Sequence, residues 1–167
     1  MNDIVLDVLD EIAKARNGNY ASTRDYTKRR DHIGLAGEIT LGDRYGLPVR
    51  LVDMPEGDGG IDFTVPLLFT IDVKTTPASN PGHLLVEENQ VVADIYVAAR
   101  YKTCATDAEL IGWEWASAVR AAEVRPWNGV PHHQMVMLTR DEGGKLRPMS
   151  ELDKRMAVLR PFFAKQE

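Results

Sequence analysis

The run Leu67-Leu68-Phe69-Thr70-Ile71-Asp72-Val73-Lys74-Thr75 sets a carboxylate in the middle of a stretch that is otherwise apolar and β-prone. A carboxylate buried without a partner is expensive, so the fold must supply Asp72 with one. Lys74 stands two residues on and alternates to the same strand face. A second carboxylate, Asp62, lies in a similar run bounded by Ile61, Phe63 and Val65, after the Gly-rich turn MPEGDGG. Strands over 61–65 and 69–75, joined through Pro66 as a hairpin, bring the two acids side by side where they can share an ion. The plainer alternative is an exposed strand end carrying an ordinary charge pair.

The rest of the chain reads as helices followed by strands. Val5, Val8, Leu9 and Ile12 repeat at helical spacing, which predicts a helix over 3–15 ending before Gly18. A second helix is expected over 22–45, capped by Ser22 or Thr23 and ended by Gly46-Leu47-Pro48. Ile33, Gly37, Thr40 and Leu41 share one stripe of it, and Gly34, Ala36 and Gly37 are small enough for close packing. Strands are expected over 49–52, 84–86, 93–100, 109–113 and 136–139, with a short helix over 117–122. DEGGK reads as a turn, and a closing helix over 150–163 is expected to be interrupted near Pro161. This order predicts one α/β or α+β domain spanning 1–167, a sheet covered by helices.

Composition narrows the class. With 167 residues, 44% hydrophobic and 27% charged, the chain has enough apolar material for a sizeable core. A single cysteine, Cys104, excludes an intrachain disulfide framework, and no Cys/His cluster has zinc spacing. The acidic, amphipathic start MNDIVLDVLDEIAK lacks the pattern of a signal or transit peptide, and no apolar run approaches bilayer-spanning length. A cytoplasmic, reducing location is expected. The net charge of −5 and pI of about 5.4 disfavour broad, tight binding to DNA. Asp53, Glu56, Asp58, Asp62 and Asp72 concentrate near the proposed site, whereas the basic residues gather in the run that holds Arg24, Lys28, Arg29 and Arg30. That run is either a solvated helix face or a phosphate contact.

Glu38 in GLAGEIT, Asp62 in GDGGIDF and Asp72-Val73-Lys74 in FTIDVKTT together resemble the PD-(D/E)XK, restriction-endonuclease-like, nuclease superfamily, over about Glu38 to Trp113. The resemblance implies a mixed central β-sheet flanked by helices. It matches Glu38 to the helical acid, Asp62 and Asp72 to the strand acids, Lys74 to the lysine, and the Val73 carbonyl to a backbone ligand. Ile61 stands where the nominal motif has proline. Gln90-Val-Val-Ala-Asp-Ile-Tyr96 is similar to the Q-x-x-x-Y element of the RecB-like and λ-exonuclease-like branch, but its spacing is too long for that assignment. Glu109–Trp113 and KLRPMSEL look like small phage and bacterial nucleases of this fold.

The implied activity is Mg²⁺-dependent hydrolysis of DNA phosphodiester bonds, with Mn²⁺ as a substitute. Glu38, Asp62, Asp72 and Val73 would hold metal, and Lys74 would position the attacking water. The implied partners are duplex or branched DNA and a second copy of the chain, with no membrane. Two other functions stay open: a catalytically silent binding or assembly protein on the same fold, and a phosphoesterase acting on a small nucleotide. His32, His132 and His133 have no partner spacing and read as loop or surface residues. G-x-S-x-G is absent, and Gly57-Asp58-Gly59-Gly60 lacks the G-K-[ST] of a phosphate loop. Trp113 reads as core and Trp127 as an exposed aromatic.

Overall fold

A computed structural model describes residues 28–49, 59–65, 68–77, 82–102 and 108–163, without the side chains of 28–32 and 160–163. The first helix, α1 (Lys28–Tyr45), ends where Gly46 takes φ +67° and Leu47 N–H donates to the Gly42 carbonyl at 2.9 Å. This is the Schellman closure, and glycine enters the left-handed region at no steric cost. Seven strands follow among the described residues: β1 (Phe63–Val65), β2 (Phe69–Thr76), β3 (His83–Glu87), β4 (Ile95–Tyr101), β5 (Ala108–Trp115), β6 (Glu123–Trp127) and β7 (Val130–Val136). A short α2 (Ala116–Arg120) follows β5, and α3 (Met149–Phe163) closes the described chain. The fold is α+β.

The strands form two sheets, one ordered β1-β2-β4-β5 and the other β3-β7-β6. Within the first, β2 and β4 are parallel and the remaining pairs antiparallel, so it is a mixed sheet. A parallel pair needs a crossover. Here the crossing chain contributes β3 to the second sheet and a 3₁₀ turn, Glu88–Gln90, before returning as β4.

Alternation of side chains gives the first sheet two apolar faces. Ile71, Val73, Ile95, Val97 and Trp113 pack with Ala36 and Leu41 of α1 and with Met149, Leu152 and Met156 of α3. Tyr96 and Ala98 on the reverse face pack with Leu84, Val86 and Met135 of the second sheet. The layers are therefore helices, mixed sheet, second sheet, and on the reverse face the second sheet with the short α2 stands where helices alone are expected. Arg44 grips Asp153 through two hydrogen bonds of 2.8 and 2.7 Å, and the Tyr45 hydroxyl donates to the same carboxylate at 3.0 Å, tying the end of α1 to α3.

Several expectations change. The strand expected over 136–139 is displaced: β7 covers Val130–Val136, pairs with both β3 and β6, and shares only Val136 with the expected span. Strand β6 has no counterpart among the expected elements; its residues are all exposed, so the core leaves no apolar alternation on it. Helix α3 runs to Phe163 through Pro161 without interruption. A Cβ added at Gly34 would meet nothing within 4 Å, so of the two glycines only Gly37 is required to be small. The expected helix over 3–15, residues 50–52 of the expected strand, Pro66 and Cys104 lie outside the described residues. No helix among the described residues is long and apolar enough to cross a membrane.

Candidate metal-binding site

The hairpin register decides where the acids fall. Phe63 pairs with Ile71 as the last rung of the β1–β2 ladder, and Asp62, in the bend just before β1, donates its N–H to the same Ile71 carbonyl at 3.0 Å. β1 begins at Phe63, and there the Asp62 side chain takes over the strand's role: its Oδ2 accepts the Val73 N–H at 2.6 Å. The carboxylate thus caps the edge of β2 just beyond the last paired residue.

Asp72 is 2% exposed, and its Oδ2 meets Lys74 Nζ at 2.7 Å. The expected face-sharing of Asp72 and Lys74 holds, and the ion pair gives the buried acid the partner that its position demands. The ammonium end is less enclosed, with the Lys74 side chain 36% exposed.

Glu38 reaches the site from the other layer. Its neighbour Gly37 packs so tightly on β2 that an added Cβ would collide with Thr75 Oγ1 and press on Val73 Cγ1 at 3.0 Å. That close approach holds the next residue, Glu38, against the sheet, where it is buried. The charge of Glu38 is felt at Asp62: burial, Glu38 and Asp72 together raise the Asp62 carboxyl well above its ordinary value, against the Val73 N–H and Lys74.

Asp72 is paired with Lys74, and the charges of Glu38, Asp72 and Lys74 all act on Asp62. Among the described residues no group of three or more Asp, Glu, His or Cys side chains is placed to hold a metal ion.

Sequence reasoning does not bring Tyr96 to the site, yet it is a neighbour. It pairs with Asp72 across the parallel ladder, is wholly buried, and its hydroxyl accepts the Ala93 N–H at 3.1 Å and donates to the Gln90 carbonyl at 3.3 Å. The Gln90–Tyr96 relation is thus a real contact, made by the Gln90 backbone. The next residue in the row, Glu114, is 1% exposed but is held by Arg140 at 2.7 Å and Arg147 at 3.1 Å. Two guanidinium groups make it a structural anchor for the turn before α3. His132 and His133 sit on β7 rather than in a loop, and His133 is buried with Nδ1 3.3 Å from the Ala122 carbonyl. Trp113 is fully buried and Trp127 exposed, as expected. Arg24, Asp53, Glu56 and Asp58 lie outside the described residues, as do the side chains of Lys28, Arg29, Arg30 and His32.

No protein-family model, curated protein or solved structure matches the chain.

The Asp62 environment has a consequence for stability. With its folded pKa raised, the folded chain holds a proton that the unfolded chain releases from about pH 4 upward. Stability therefore falls as pH rises from there toward the raised folded value. An asparagine at this position cannot titrate, and its amide oxygen can still accept the Val73 N–H. In EDTA, Asp62→Asn is expected to melt higher than wild type at neutral pH, with the difference vanishing below about pH 4. Thermal melts of both proteins across pH check this; equal melting temperatures at neutral pH would contradict it.

Proposed function

We propose that this chain is a divalent-metal-dependent DNA endonuclease with a restriction-endonuclease-like site. The observation that carries the reading is the Asp62 carboxylate accepting the Val73 N–H beside Asp72, with Lys74 in ion-pair contact with Asp72. Asp62, Asp72 and the Val73 carbonyl would hold Mg²⁺ or Mn²⁺, with Glu38 completing the acidic shell. A bound divalent ion there supplies charge stabilisation for the transition state of phosphodiester hydrolysis.

The chain's own groups do the rest. Lys74 donates to the attacking water and orients it, while Asp72 fixes the ammonium within reach. Glu38 raises the negative potential, which strengthens attraction for a cation. Gly37 keeps the helix close enough for that to matter. A homodimer is the simple route to cutting both strands, since one such site cuts one strand. The location is cytoplasmic in this reading.

The test is incubation of the purified protein with supercoiled plasmid, linear duplex and a four-way junction, with Mg²⁺, Mn²⁺ or EDTA. Metal-dependent cutting is expected, with the preferred substrate defining the role. A folded protein that cuts none of them would shift the reading to a binding protein or a small-nucleotide phosphoesterase. Random duplex should bind weakly at physiological salt given the net charge of −5.

A further inference from the structure

On the helix-covered face, two adjoining hollows of about 550 and 320 Å³ share Phe69 and Trp115 on their floor. Val158 stands at the edge, 70% exposed. The rim is cationic, with Lys154 and Arg155 on α3 and Arg120 at the end of α2. Arg155 lies over both Trp113 and Trp115, at 5.7 and 5.5 Å from their ring centroids. The two acids in the lining are engaged elsewhere: Glu151 bridges to Arg147 at 3.0 Å, and Asp94 accepts from the Thr70 N–H and hydroxyl at 2.8 and 2.9 Å. In a chain of net charge −5, this is a locally positive, aromatic-floored groove.

We propose that this groove anchors an unpaired nucleic-acid strand, with a base against Phe69 and Trp115 and phosphates at Lys154, Arg155 and Arg120. Aromatic rings and guanidinium planes accept any base face, and adjacent cations meet the backbone charge. Phe69 lies three residues before Asp72 on β2, roughly 10 Å along the strand, and points to the opposite sheet face. The groove therefore holds the nucleic acid away from the bond to be cut. Its choice of ligand rests on the nuclease reading; its geometry does not.

Anisotropy of a labelled single-stranded oligothymidylate, titrated with the full chain at low salt in EDTA, tests the groove. Lys154→Glu and Val158→Glu are expected to weaken binding about tenfold each, the scale of one lost stacking or phosphate contact. Unchanged affinity in both groove variants, or no binding by folded wild type, overturns the proposal. So does a concentration-dependent dimer that Val158→Glu abolishes while single strands are ignored, since the groove is then a self-association face. Binding lost in the groove variants, in a protein that cuts no DNA with any metal, supports the groove and removes the nuclease reading. Cutting retained with normal binding by both variants does the reverse.

Discussion

Asp72→Asn is expected to lower metal-dependent cleavage by about 10³-fold or more while the protein stays folded, because the group lost acts on charge that develops only in the transition state. Asparagine keeps the shape of the buried side chain, so packing in the 2%-exposed position is preserved. Lys74 loses this carboxylate, and its side chain is already 36% exposed. Asp62 meanwhile loses a like-charged neighbour, which relieves part of the repulsion that raises its pKa. Unfolding curves for the variant should match or exceed wild type in EDTA. Lys74→Ala should cost on the order of 10²- to 10⁴-fold, the range for a group that manages a proton at the reacting water. Circular dichroism beside plasmid nicking separates lost chemistry from lost structure. Normal nicking by Asp72→Asn would end the assignment.

Gly37→Val is expected to give the largest structural effect near the site. A Cβ at Gly37 already collides with Thr75 Oγ1 and crowds Val73 and Ala99, and a branched side chain adds atoms to the same contact. Overpacking of this kind costs about 1–3 kcal/mol, which lowers Tm by about 2–4 °C per kcal/mol in a protein of this size. The helix can avoid the clash only by moving away from β2, and Glu38 moves with it. Less Glu38 charge at Asp62 should then flatten the pH dependence of stability described for Asp62. The matched control is Gly34→Val, where an added Cβ meets nothing within 4 Å. Equal melting temperatures for the two variants would show that the Gly37 contact does not hold the layers together.

The site was more legible than the architecture around it, for a physical reason. Asp72 and Lys74 sit two apart in one strand, so period-two alternation alone places them together, and the turn before β1 brings the Asp62 carboxylate to the Val73 N–H. Glu38 was legible because a glycine beside an acid on a helix marks a close approach to the sheet. The same reasoning failed at Glu114, also a carboxylate in an apolar strand. Its partners Arg140 and Arg147 lie more than twenty residues away in a turn, and nothing local announces them. β6 left no signal because all its residues face water, and Pro131 with two histidines broke the pattern of β7. The second sheet follows from those two omissions, since a lone β3 gave no hint that strands rather than helices cover the reverse face of the mixed sheet.

Titration calorimetry with Mn²⁺ on wild type and Asp72→Asn tests the central claim most directly, because every catalytic role proposed for the chain depends on the carboxylate pair holding a divalent ion. Wild type should bind Mn²⁺ in a manner that Mg²⁺ displaces, and the folded variant should lose that binding. Equal binding by the two proteins, or none by either, would contradict the account.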